Sequence, residues 1–419
     1  MKHYRHSVPK NFDQHCQKRM RSAAGTRLPR QDWLLNLAQF TPATATSPGL
    51  ARPGTWYTVG GLVLRAHRDC HDLAGGRMKN VCQICIRFIL IAGFTAQVSA
   101  QEKSPPESSR PLVLTEAIPL PGVQGRFDHF GFDRKNQLFV AALGNNSVEV
   151  IDISARTRVH SITGIPNPQG VVYAPETKKL FAASSKGQLY IYDAATFELV
   201  KAIDFHGDVD NLRYDAPNQR VYVGFGEDET GAIGTVDATT NERLDEEYKL
   251  GAHPEAFQLE TAGPSIYVNL PDLKQIAVID RKTRAITRWP MTLAHNFPMA
   301  LDEANHRLFV ATHEPPRLAV FETSSGHPVA TLPCVQDADE VYYDSGRKRI
   351  YVPGGEGYIS VFQQVDADHY QLLAKVPSTL GARTAGYFGK GRKGFDRFFL
   401  AVPARADHGA EMWIYTVQD

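Results

Sequence analysis

A tyrosine or phenylalanine returns along this chain at a nearly constant step. Phe139, Phe181, Tyr222, Tyr267, Phe309, Tyr351 and Phe399 are separated by 42, 41, 45, 42, 42 and 48 residues. Each lies in a short apolar run, as in Leu138-Phe139-Val140, Val221-Tyr222-Val223 and Ile350-Tyr351-Val352. Short apolar runs bounded by turn residues are buried strands, and a strand-bearing repeat of this period is one blade of a β-propeller. Seven repeats predict an all-β, seven-bladed β-propeller over residues 111–419.

The repeats share an internal grammar. Inner strands end in an acidic turn, as at Phe132-Asp133, Tyr214-Asp215, Leu301-Asp302 and Tyr343-Asp344. Third strands end in an acid followed by a hydroxyl, as at Asp193 with Thr196, Asp237 with Thr240 and Asp280 with Thr283. An acid recurring once per blade is turn chemistry, because its carboxylate closes the loop by accepting backbone N–H groups. The last repeat stops at its third strand, Trp413-Ile414-Tyr415-Thr416-Val417. Leu112 to Ile118 is therefore expected to supply the missing outer strand, closing the ring and removing an unpaired edge.

The segment before the repeats has a different character. From Met78 a short basic stretch precedes Phe88-Ile-Leu-Ile-Ala-Gly-Phe94 and then Val98-Ser99-Ala100. This order is that of a secretory signal peptide over residues 78–100, cleaved after Ala100. Its apolar run falls short of the roughly 20 residues that a membrane helix needs. On this reading Met78 is the natural start, residues 1–77 are a mistranslated or disordered leader, and residues 101–110 are a flexible linker. The competing reading keeps residues 1–77 as a cytoplasmic tail and residues 81–98 as a membrane anchor. Location is expected to be periplasmic or secreted, with no stable membrane span after cleavage.

Formal net charge is +1, which gives no electrostatic footprint for nucleic acid. Of five cysteines only Cys334 lies in the repeats, so no disulfide can form there. Cys82 and Cys85 have a redox-like spacing but fall in the targeting segment. No Cys-x-x-Cys-His supports a haem. Gly354-Gly-Glu-Gly357 lacks the lysine and the strand-to-helix setting of a phosphate loop, and is read as a tight hairpin. The Lys390–Lys393 insertion accounts for the long last step and is read as a solvated basic loop.

Loops entering the inner strands should converge on one mouth of the central channel. Aligned on Phe132, Tyr173, Tyr214, Leu259, Leu301, Tyr343 and Tyr387, the position four residues earlier holds Asp128, Gln169, Asp210, Glu255, Phe297, Asp339 and Arg383. Two residues further upstream stand Arg126, Asn167, Asp208, His253, His295, Asp337 and Gly381. His129 and Glu340 adjoin the first ring. Asp128, His129, Asp210, His253, Glu255, His295, Asp339, Glu340 and Arg383 are thus candidate ligand-binding residues. Crowded carboxylates must be protonated, paired or bound to a cation. Asp210, Glu255 and Asp339 are the candidate ligands for a divalent cation such as Ca²⁺ or Mg²⁺, and histidine widens the choice to Mn²⁺ or Zn²⁺. Neutralisation of the acids by Arg126 and Arg383 is the plainer reading. The loops between second and third strands, at Gly226–Gly231, His313–Pro316, Gly354–Gly357 and Ala404–Ala410, are expected on the same face.

The strand and hairpin motifs resemble the YVTN-type, YncE-like β-propellers, a family of secreted or periplasmic proteins. The resemblance covers roughly residues 111–419. It departs at the displaced Ser154 and Thr157 of the first repeat and at Gln363 in the sixth, where an acid is usual. It implies a binding or surface protein; the chain is expected to be a binding or scaffold module, a monomer with a small molecule or a protein as its partner. Propellers of this shape also include lactone hydrolases and sugar-acid lyases, in which His253, His295 or Glu255 would act as acid or base and a metal or Arg383 would polarise a carbonyl. A protein-interaction platform is the third reading.

Overall fold

The computed structural model describes residues 57–59, 62–64, 110–133, 137–389 and 396–419. Tyr57–Val59 and Leu62–Leu64 pair as a short antiparallel hairpin. The signal-peptide and Cys82/Cys85 readings, the leader apart from those two strands, all but Arg110 of the linker, and the Lys390–Lys393 loop lie outside the described residues.

From Leu112 onward the chain forms seven four-stranded antiparallel sheets. Six are consecutive meanders. The seventh joins Ala385–Tyr387, Arg397–Val402 and Glu411–Val417 to Leu112–Pro119, which is the closure expected from the sequence. Every recurring aromatic sits on a second strand and is at most 3% exposed. Seven apolar clusters occur among the described residues, and each lies between two neighbouring blades. Both faces of the middle strands are therefore covered, which is why those strands read as continuous apolar runs. Outer strands such as Thr157–Thr163 are largely exposed.

The acids at strand ends do the expected turn work. The Asp193, Asp237 and Asp280 carboxylates each accept two backbone N–H groups at 2.8–2.9 Å. In blade six, where Gln363 replaces the usual acid, Asp366 does this for the N–H groups of Asp368 and His369. Gly354–Gly357 is a hairpin turn closed by Gly357 N–H donating to Gly354 O at 3.1 Å, and Gly357 takes φ +95°. The second-to-third-strand loops pack on the loops that enter the next inner strand. His313 Nε2 is 2.8 Å from Ala338 O, and Gly381 N–H donates to Gly355 O at 2.7 Å.

Four of the seven inner strands share one irregularity. Phe127 and Phe130 face Ala142 and Val140, so three steps on one strand match two on its partner. The same extra residue occurs at Pro168–Val171, Val209–Leu212 and Asn296–Met299. Such a bulge re-aims side chains near the strand end, and here it falls on the residues that line the mouth.

Candidate functional site

Bulging lets consecutive residues of one strand reach the channel together. Asp128 and His129 both do so: His129 Nε2 lies 3.5 Å from Asp128 Oδ1 and 3.6 Å from Asp210 Oδ1. Nδ1 of the same ring is 2.7 Å from Glu340 Oε1, and Nε2 is 3.1 Å from the Asn211 amide. His129 on blade one thus touches blades three and six and sits across the channel axis. Burial opposes its charge, but Glu340, Asp128 and Asp210 outweigh burial and hold its pKa well above the ordinary value.

A second group surrounds His253. Asp210, His253 and Glu255 offer one ligand atom each, all within 4.8 Å of one another. His253 Nδ1 is 2.5 Å from Gly226 O, and Nε2 is 3.5 Å from Asp210 Oδ2. Burial works against the imidazolium, yet Asp210, Glu255 and Asp208 raise its pKa to about 10. Asp210 is driven the other way, since hydrogen bonds and charge from His129 and His253 overcome its burial.

Arginines neutralise the remaining acids. Arg126 Nη2 meets Asp128 Oδ2 at 2.9 Å. Arg383 bridges Asp337 and Asp339, with Nε 2.5 Å from Asp339 Oδ2. Burial still dominates at Asp339 and pushes its pKa up to about 6, against the pull of Arg383 and Arg126. Asp339 therefore stands with the arginines, and His253 takes its place beside Asp210 and Glu255. His295 lies apart on the rim: its side chain is 48% exposed, 3.8 Å from Glu314 and stacked on Phe297. It adopts φ +56°, and Asn167, Asp337 and Gly381 at the equivalent position also have positive φ. That position selects residues tolerant of left-handed backbone as much as residues with chemistry.

Beyond the His129–Glu340 layer the channel widens into a cavity of about 590 Å³. Its lining runs from His129, Arg213 and Glu340 to Tyr173, Glu176 and Tyr214, so it reaches the face opposite the polar mouth. Sequence alignment on the strand ends missed Asn211, Arg213 and Tyr342. Asn211 lies three positions before its anchor and Arg213 and Tyr342 one before theirs. The signal was available: Arg213 is the single charged residue in the ring one position upstream of the anchors, which otherwise holds Gly131, Val172, Gln258, Ala300, Tyr342 and Gly386.

No family model and no curated protein sequence matches the chain. Solved structures do. A chain of the mitotic checkpoint complex aligns with TM-score 0.62 at 13% identity, covering 78% of this chain and 100% of that one. The WD40 repeats of RRP9 align with TM-score 0.63 at 10% identity, covering 73% and 99%. A chain of Kuenenia stuttgartiensis hydrazine synthase aligns with TM-score 0.59 at 13% identity, covering 72% and 99%. At these identities the likeness concerns the fold, and the chain is a seven-bladed β-propeller.

Proposed function

We propose that this propeller is an exported binding module whose polar mouth holds a divalent cation on Asp210, His253 and Glu255, and through it a small polar ligand. One observation carries the reading. The three ligand atoms lie within 4.8 Å, and the other ring nitrogen of His253 is pinned by the Gly226 carbonyl. A ligating histidine is typically oriented by such a second contact, which aims Nε2 at the ion, and binding there releases the Nε2 proton. Mixed nitrogen and oxygen donors suit Mn²⁺ or Zn²⁺ better than Ca²⁺ or Mg²⁺. Arg126 and Arg383, on the inner-strand entries of blades one and seven, would meet anionic groups of the ligand from the same mouth. Residues 78–100 are the basis for placing the protein in the periplasm or outside the cell.

Metal analysis and native mass spectrometry of the exported protein test this. One ion per chain is expected, lost in Asp210→Asn and in Glu255→Gln and retained in Asp339→Asn. Absence of any ion after titration with Mn²⁺, Zn²⁺, Ca²⁺ and Mg²⁺ removes the proposal.

A second reading, lactone hydrolysis or sugar-acid elimination, draws on Asp339. A carboxyl pushed up to about 6 beside a guanidinium can exchange a proton near neutral pH. Turnover of a lactone or sugar-acid panel, abolished by Asp339→Asn, is what that reading requires.

A further inference from the structure

The cavity on the far side of the His129 layer is chemically unlike the mouth. Its walls mix Leu212, Met299 and the rings of Phe132 and Phe388 with polar groups, Gln258 and Glu176 among them. Its volume of about 590 Å³ falls in the range of small-molecule sites, which pair apolar walls with a few fixed polar groups. One guanidinium enters it. Arg213 Nη1 donates to Asn211 Oδ1 at 3.2 Å and to Leu212 O at 2.8 Å, while its carbon lies 5.4 Å from the centre of the Phe257 ring. Among the described residues no carboxylate forms an ion pair with Arg213. Glu340, the acid whose charge acts on it most strongly, is committed to His129 at 2.7 Å. Glu176 at the outer rim accepts a hydrogen bond from the Tyr214 hydroxyl at 2.8 Å.

A chamber of mixed walls, with aromatic rings and one inward guanidinium that forms no ion pair, has a definite complement. We propose that this cavity binds a small monocarboxylate with an apolar or aromatic body, the carboxylate on Arg213 and the body between the aromatic rings toward the opening. The His129–Glu340 pair is internally neutral, so Arg213 supplies the attraction at the inner end. Arginine offers the planar fork that a carboxylate fits, and its value rises where water is displaced. Burial lowers the Arg213 pKa, in keeping with a cation whose hydration is incompletely replaced by protein. This site is separate from the cation at the mouth, and either can exist without the other.

Calorimetric titration of the protein with 2-naphthoate, against its uncharged analogue 2-naphthamide, tests the assignment. One naphthoate per chain is expected, at least about ten-fold tighter than the amide, since a charge-assisted pair replaces a neutral contact. Arg213→Gln should abolish that preference, while Asp339→Asn at the mouth should leave naphthoate affinity within about two-fold. Equal affinity for the two compounds, no naphthoate binding at millimolar concentration, or a ten-fold loss in Asp339→Asn would each overturn it. If Arg213→Gln does not fold, the charge preference of the unaltered protein decides alone.

Discussion

Closure of the ring by Leu112–Pro119 can be tested quantitatively. The strand pairs with Glu411–Val417 from Leu112↔Val417 to Pro119↔Glu411. It is fixed further by Leu120 N–H donating to Ala410 O at 2.8 Å and by Arg397 meeting Glu116 at 2.8 Å. Leu112, Ile118 and Leu120 are each no more than 1% exposed. They enter two clusters, Leu112 that between blades six and seven, Ile118 and Leu120 that between seven and one. At about 1.5–3 kcal/mol per buried side chain, deleting them removes about 4.5–9 kcal/mol. A folded domain typically holds about 5–15 kcal/mol in total. A chain beginning at Gly122 should therefore be unfolded or strongly destabilised beside one beginning at Arg110. Point substitutions grade the effect. Ile118→Ala should cost about 2–5 kcal/mol. With about 2.1 cal/mol/K of unfolding entropy per residue over about 310 residues, that is a melting-temperature drop of about 3–8 °C. Leu114 lies on the same strand but is 44% exposed, so Leu114→Ala should cost under about 0.5 kcal/mol. Thermal melts followed by circular dichroism read all four proteins. If the Gly122 chain melts within about 3 °C of the Arg110 chain, the strand does not close the ring as argued.

Other consequences concern the mouth. The folded pKa of His253 is raised, so its stabilisation is complete below its ordinary value near 6.5 and is lost as pH rises through about 10. In a chelating buffer the melting temperature should fall from pH 7 to pH 10, and His253→Gln should flatten that fall; an unchanged slope would contradict the assigned charge. Glu340→Ala leaves His129 with Asp128, Asp210 and Asn211 but without its 2.7 Å partner, and should cost about 3 kcal/mol by denaturant titration. Gly170→Ala would place a Cβ 2.2 Å from the Asp210 carbonyl oxygen, so blades two and three must separate. About 3 kcal/mol of destabilisation is expected there, together with weakened cation binding at Asp210. His295→Asn keeps a residue suited to φ +56° at an exposed position and should change stability by less than about 0.5 kcal/mol.

The ring was legible because each blade repeats one local pattern. A buried aromatic on the second strand and an Asx-type turn after the third are consequences of nearest-neighbour chemistry, so counting them recovers the fold. The rings of mouth residues were legible for the same reason, since an alignment on strand ends carries across blades. Of the missed residues, Asn211 lies within a bulge. One extra residue before Phe130, Leu212 and Met299 changes which side chains face the axis. A strict two-residue alternation would aim only every second residue of this stretch at the axis. Instead His129 reaches Glu340, 211 positions away in sequence, and consecutive residues share the channel. Partner choice was equally hidden. Asp339 and Asp210 hold equivalent positions in their repeats, yet one meets Arg383 and the other His129 and His253. Nothing within either repeat distinguishes them, because the deciding residue belongs to a neighbouring blade. The functional asymmetry of this ring thus lies in which unlike side chains neighbouring blades bring to the same level. Arg213 shows this most plainly: a cation on an inner strand is unremarkable locally, and becomes a candidate binding group because the other six blades hold no charge at the equivalent position.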